Sequence, residues 1–316
     1  MSKHHLETID AITLMNKDLA DIQFVVEGLL PQGLQILSGK AKAGKSWLLL
    51  SLCLCVASGD EFWNRKTKQG TVLYLCLEDS ENRLQARLEE LTTNPPPQLY
   101  FATIVKSLSD GLTKQIESFI INYPDTVLVV IDTLQKIRVG SNDANPYASD
   151  YNDIGLLKEL ADKYGIAMIV VQHLRKQFDS DPHSMVSGST GLLGASDGSY
   201  VLQKEMDGTA KLYIRGRDIE EQVLTIRFDG DDLVWQYISS DTPAQEQMNR
   251  DPVIPLLVSY LQREKQFSGT AQELSDVLKA HYNTEIKGNV LSRELQQYKN
   301  QLAEKGIAYE RTRSGA

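Results

Sequence analysis

Cysteine is scarce in this sequence, three in 316 residues. Cys53, Cys55 and Cys76 form no CxxC pair and have no histidine beside them, so they read as core packing in a reducing compartment. Long apolar runs are missing too. The longest uncharged one, Trp47 to Ala57, falls short of the roughly 18 residues of a membrane span. The opening "MSKHHLETID" has no apolar signal core, and a cytoplasmic location is the expectation. There is no basic excess: the net charge of −9 excludes a protein that coats nucleic acid by charge alone. Internal repeats and low-complexity tracts are also lacking. What remains is an ordinary globular composition, 41% hydrophobic and 24% charged. The charge is uneven. From Pro252 onward 9 basic residues meet 7 acidic ones, which leaves the rest at −11. An acidic body and a weakly basic tail suggest two parts with different partners.

The stretch "SGKAKAGKSWLLL" answers the pattern G-x-x-x-x-G-K-[ST] at every fixed position: Gly39, then Lys40, Ala41, Lys42 and Ala43, then Gly44, Lys45 and Ser46. Glycines let backbone N–H groups curl around an anion, Lys45 reaches β- and γ-phosphates, and the Ser46 hydroxyl suits Mg²⁺. The apolar strand "GLQILSG" precedes the loop. A buried helix beginning near Trp47 and capped by Gly59 follows, which sets the anion at a helix N-terminus. Residues 39–47 are therefore the expected ATP-binding segment.

Strands and helices alternate from there to "IAMIVVQH", the mark of a parallel sheet covered on both faces. The segments "GSYVLQKE", "AKLYIRGRD", "VLTIRFD" and "LVWQYIS" then read as an antiparallel meander with Asp-Gly turns. The expected division is a lead-in over 1–27, an α/β domain over 28–238, a linker over 239–251 and a small helical domain over 252–316. In the last, three helical patterns end in a short strand, "IAYERTR".

Hydrolysis needs more than a phosphate loop. "TVLVVID" ends an apolar strand with Asp132, placed to share Mg²⁺ with Ser46. "VLYLCLED" ends the strand after the loop helix with Glu78 and Asp79. Glu78 is assigned as the base for water and Asp79 as the residue beside the next helix's cap, with the reverse assignment open. Gln172 and His173 end a further strand, where they can sense the γ-phosphate; a purely structural histidine is the alternative. In "YIRGRD", Arg215 and Arg217 share one face of a strand, the type of group that meets charge developing in phosphoryl transfer.

Taken together, "LLPQGLQILSGKAKAGKSWLLL", "GTVLYLCLEDSENRLQARL", "LVVIDTLQKIR", "IVVQHLRK" and "GSTGLLGASDGSYVL" resemble the RepA-type branch of the RecA-fold ATPases, the branch of plasmid, phage and mobile-element replicative helicases. The resemblance implies a glutamate matching Glu78, a metal aspartate matching Asp132, a sensor matching Gln172 and His173, and a basic-x-Arg finger pair matching Arg215 and Arg217. It also implies a ring, commonly a hexamer, with ATP between subunits and single-stranded DNA in the pore, and replication or loader proteins as partners. Lys136, Arg138, Arg175 and Lys176, in loops 136–149 and 174–197, are the pore candidates. Two departures stand out: Ala41 where many relatives have proline, and Gln172 where some have a second histidine. The tail resembles a winged helix, whose second helix offers Arg293, Gln296, Gln297 and Lys299 to a DNA groove or a protein. The favoured expectation is a DNA helicase or translocase. The rival is a DNA-associated regulatory or partition ATPase whose cycle controls assembly, and a small-molecule kinase is a distant third.

Overall fold

The computed structural model describes residues 8–18, 22–138, 146–175, 177, 179–188 and 190–310. A short helix α1 (Ala11–Met15) precedes a two-stranded antiparallel pair, β1 (Phe24–Val26) and β2 (Leu30–Pro31). The main body then runs β3 (Gly33–Gly39), α2 (Lys45–Ser58), β4 (Thr71–Cys76), α3 (Glu81–Leu91), β5 (Leu99–Ala102), α4 (Leu112–Asn122), β6 (Thr126–Asp132), α5 (Leu134–Ile137), α6 (Pro146–Tyr164) and β7 (Ala167–His173). After a 3₁₀ turn at Pro182–Met185 come α7 (Thr190–Ala195), β8 (Gly198–Lys204), β9 (Thr209–Gly216), β10 (Gln222–Phe228) and β11 (Trp235–Asp241).

These strands form one nine-stranded sheet in the order β11-β10-β9-β8-β3-β7-β6-β4-β5. β3, β4 and β6 are buried along their whole length, which is why they read as near-continuous apolar runs. α2 and α3 pack on one face, through Leu49, Cys53, Val56 and Leu84. α4 to α7 cover the other, through Ile116, Ile137, Leu157 and Leu192. Gly59 ends α2 in the left-handed conformation, as expected from the sequence. Among the described residues no helix is long and apolar enough to cross a membrane.

Four local expectations need correction. β8 pairs parallel to β3, so only β9 to β11 are antiparallel additions. The segment 239–251 is no structureless linker. Ser239–Asp241 completes β11, and Pro243–Arg250 is a helix, α8, with a capping box between Thr242 and Gln245. The loops expected at 136–149 and 174–197 are shortened by α5, α6, the 3₁₀ turn and α7, and residues 139–145 lie outside the described residues. In the tail, α9 (Ile254–Glu264), α10 (Ala271–Tyr282) and α11 (Gly288–Gln297) match the three helical patterns, but the last breaks at Tyr298 and resumes as α12 (Lys299–Glu304). Residues 305–310 form no strand, and the rest of the expected strand lies outside the described residues.

The tail helices bury a core of their own around Ile254, Leu257, Leu278, Leu291 and Leu302. α8 fastens it to the body. The buried Glu246 accepts hydrogen bonds from Lys211 at 2.8 Å and Arg250 at 2.7 Å, and Arg250 pairs with Glu205 at 2.6 Å.

Candidate active site

The parallel register brings the chemistry to one edge. Gly39 lies level with His173, and Cys76 level with Asp132. The carboxyl ends of four neighbouring strands, β3, β7, β6 and β4, therefore hold the phosphate loop, His173, Asp132 and, two residues past β4, Glu78. Lys40, Ala41 and Lys42 are exposed. Lys45, the first residue of α2, is buried and folds back on the loop: Nζ donates to Gly39 O at 2.9 Å and Lys40 O at 3.1 Å. Burial lowers its pKa, opposed by the charges of Asp132 and Glu78.

Ser46 donates its hydroxyl to Asp132 Oδ2 at 2.9 Å, and the buried Tyr74 donates to the same oxygen at 3.1 Å. Burial pushes the Asp132 carboxyl up, and these two bonds pull against it. One carboxylate and one hydroxyl are hard oxygen donors, the set that suits Mg²⁺, which fills its remaining positions with water and phosphate oxygens. Among the described residues no group of three or more His, Cys, Asp or Glu could hold a metal ion.

Glu78 and Asp79 differ in their company. Asp79 is held by Arg83 at 3.0 Å and by Arg87. The helix cap beside it is Ser80, which accepts from Arg83 N. Glu78 is half-exposed at the strand edge. It accepts from Thr133 Oγ1 at 3.2 Å and stands 4.0 Å from His173 Nε2. Gln172 is buried, and its Oε1 accepts from His173 N at 3.0 Å.

Tryptophans surround the loop. Gly44 has φ +94°, and the Trp235 ring lies 2.9 Å from where a Cβ would stand, so glycine is required on both counts. Trp235 Nε1 donates to Gly44 O at 3.1 Å, and Trp63 Nε1 donates to Trp235 O at 2.6 Å. Trp47 carries the Arg87 guanidinium 5.4 Å from its ring centre and lies near Phe228, which in turn packs edge-on against Trp235. The sequence reading missed Tyr74, Thr133 and Trp235. Only Tyr74 sits where strand alternation hints at a role; Trp235 is 191 residues from the glycine it covers.

Arg215 and Arg217 are elsewhere. Arg215 lies level with Ser199, while Gly39 lies level with Leu202. The pair thus stands toward the amino end of the parallel strands, away from the phosphate loop of its own chain. Arg217 falls just past β9. Both are at least half exposed and ion-paired, Arg215 with Glu221 at 2.7 Å and Asp181 at 3.3 Å, Arg217 with Asp197 at 3.4 Å.

The DNA candidates scatter. Lys136 and Arg175 are exposed, and Arg175 donates to Gly188 O. Arg138 is clamped between Asp150 at 2.8 Å and Asp153 at 2.7 Å, so its charge is already answered. Lys176 lies outside the described residues. Arg293 and Lys299 are exposed on the tail, and Arg293 lines a polar groove of about 830 Å³ with Gln272, Asn289, Gln296 and Gln297.

A family model described as an AAA domain (AAA_25) matches residues 5–179. No curated protein matches the sequence. Among solved structures, a chain described as an ATPase domain is similar with a TM-score of 0.56 at 13% identity, over 66% of this chain and 85% of that one. A DnaB-like replicative helicase, described with its interactions with primase, is similar with a TM-score of 0.53 at 12% identity. The match covers 66% of this chain and 57% of the helicase. At these identities the likeness establishes the RecA-type fold. More than half of the chain, phosphate loop and Asp132 included, matches the family model, and the chain belongs to the AAA_25 family of AAA domains as a RecA-fold P-loop ATPase.

Proposed function

We propose that this chain is a ring-forming ATPase of the RepA-type branch that works as a helicase or translocase on DNA. In this reading Lys45 and the loop's N–H groups hold the β- and γ-phosphates, and Trp47 offers a flat surface beside them. Ser46 and Asp132 hold Mg²⁺, which when bound supplies positive charge against the phosphate oxygens. Glu78 takes the proton from the attacking water, with Thr133 fixing its carboxylate and His173 beside it. Gln172 and His173 pass the phosphate state to the loop after β7. Arg215 and Arg217 complete the site of a neighbouring copy, and Lys136 and Arg175 meet phosphates of a single strand in the pore.

The observation that carries the reading is the separation of two half-sites. Loop, metal donors and base share the carboxyl edge of the sheet, while the arginines stand toward the opposite edge. A head-to-tail ring brings such halves together. One observation favours the rival, a regulatory ATPase that moves no strand: Arg138, expected to line the pore, is neutralised within the chain. The test is strand displacement on a forked duplex with ATP, with Lys45→Ala as the inactive control. Displacement by the native chain and none by the variant is expected. Turnover without displacement transfers the conclusion to the regulatory reading.

A further inference from the structure

Helix α6 buries a stripe at Ile154, Leu157 and Ala161, each fully enclosed against the sheet and its neighbours. Tyr147 stands two helical turns before Ile154, on the same face, and Tyr151 one turn after Tyr147. Helical periodicity thus carries the apolar stripe on to the first turns, yet Tyr147 is 50% exposed and Tyr151 48%. Their rings are 16° from parallel with centroids 6.3 Å apart. That is within the roughly 4.5–7 Å of an ordinary aromatic pair, here left half exposed.

The two rings also stand at the functional end of the sheet. α6 starts at the carboxyl edge and runs back toward the amino edge. Lys158, about 16 Å further along the helix from Tyr147, already meets Asp197 near the start of β8. The tyrosines therefore stand at the phosphate-loop edge, between the connection that follows β6 and Asp132 and the one that follows β7 and His173. Gly188, from the second connection, comes against Asp150 on the first turn of α6. Asp150 and Asp153, the carboxylates nearest the rings in sequence, are both taken by Arg138. Arg138 offsets one of their two negative charges, and the exposed cations Lys136 and Arg175 stand on the flanking connections.

We propose that Tyr147 and Tyr151 form a stacking platform for the bases of a single-stranded nucleic acid, with the exposed Lys136 and Arg175 on the flanking connections to meet its phosphates. The proposal rests on the DNA reading above and adds what grips the bases. A π-face is common to every base, so the platform holds a moving strand without reading its sequence.

The test uses the full chain with a non-hydrolysable ATP analogue and two labelled probes in anisotropy titrations: oligo(dT) and an abasic oligomer with the same number of phosphates. Native protein is expected to prefer oligo(dT). Tyr147→Ala with Tyr151→Ala should lose about tenfold or more in affinity for oligo(dT), down to the abasic level, with the abasic affinity and the salt slope unchanged. Phenylalanine at both positions should restore the preference, which a lost fold or lost hydroxyl contact would not allow. If the alanine variant binds oligo(dT) as native protein does, the platform is wrong while the DNA reading stands. The platform is equally wrong if the variant's only change is in assembly size, because the rings are then a contact between copies. If native protein binds neither probe, the DNA reading fails and takes the platform with it.

Discussion

The two edges of the central sheet are built on different terms. At the carboxyl edge, Lys45 and Asp132 are buried, and their hydrogen bonds are short ones to the phosphate loop, to Ser46 and to Tyr74 of β4. Charges held there are hard to move, because leaving one unpaired in a buried setting is costly. Toward the amino edge, Arg215 and Arg217 are at least half exposed, Arg215 held by carboxylates at the surface and Arg217 reaching the buried Asp197 only at 3.4 Å. Exposed pairs such as those of Arg215 are worth about 0–1 kcal/mol. One edge is organised before any partner arrives; in the proposed ring, the other holds its cations loosely enough for a neighbour's phosphate to take them. The contrast is that of a socket and a plug.

The largest effect that bears on this contrast is on turnover. Arg217→Ala should bind ATP normally and hydrolyse it about 10³-fold more slowly, the scale of an arginine acting in trans. Mixing it with Lys45→Ala chains should restore part of the activity, since some interfaces then pair an intact Lys45 with an intact Arg217. Subunit exchange followed by labelled chains, with no activity recovered, places the arginines in cis or in a structural role and ends the contrast.

Within the socket, Glu78 and Asp79 should separate. Glu78→Gln is expected to keep ATP binding and lose about 10²-fold or more in turnover. Asp79→Asn, which loosens Arg83 and Arg87, should lose less than about tenfold, because it touches no group that meets water in the proposed mechanism. Single-turnover rates of the two variants decide it, and the opposite ranking reverses their roles.

The smallest effect sharpens the plug side. His183 is buried beside Arg215, with Ser199 Oγ 2.9 Å from its Nδ1 and Asp181 and Glu221 nearby. Burial first, then the charge of Arg215, lowers its pKa to about 4. The unfolded chain, at about 6.5, binds the proton sooner. Stability from this group is thus intact above pH 6.5 and lost as pH falls toward 4, by up to about 3 kcal/mol. Denaturant unfolding across that window should show the slope, and His183→Asn should flatten it. At the other edge burial raises Asp132, so acid relieves that site.

How far the chain could be read in advance depended on the range of each interaction. The phosphate loop is contiguous and its strand and helix adjoin it, so Gly39 to Ser46 was legible as a unit. Asp132 was legible because a carboxylate ending a fully apolar strand has few other uses. Asp79 was half legible: Arg83 and Arg87 follow at helical spacing, but nothing local says they prefer it to Glu78. α8 was missed although Thr242 and Gln245 spell a capping box, because its exposed faces are polar and Met248 is its one fully buried apolar anchor. Trp235 on Gly44 and the exposed face of Tyr147 are products of tertiary packing, which no local pattern encodes.

The crowding of indoles around the phosphate loop has an optical consequence. The chain has three tryptophans, Trp47, Trp63 and Trp235, and all three lie beside that loop or on one another. The helices from Pro243 onward carry tyrosine but no tryptophan. Emission excited at the red edge of the spectrum therefore watches the nucleotide cradle alone, through an indole bonded to the Gly44 carbonyl. Melting of the tail is silent at that wavelength and visible in circular dichroism. Unlabelled protein thus carries separate reporters for the phosphate-loop face of the sheet and for the tail.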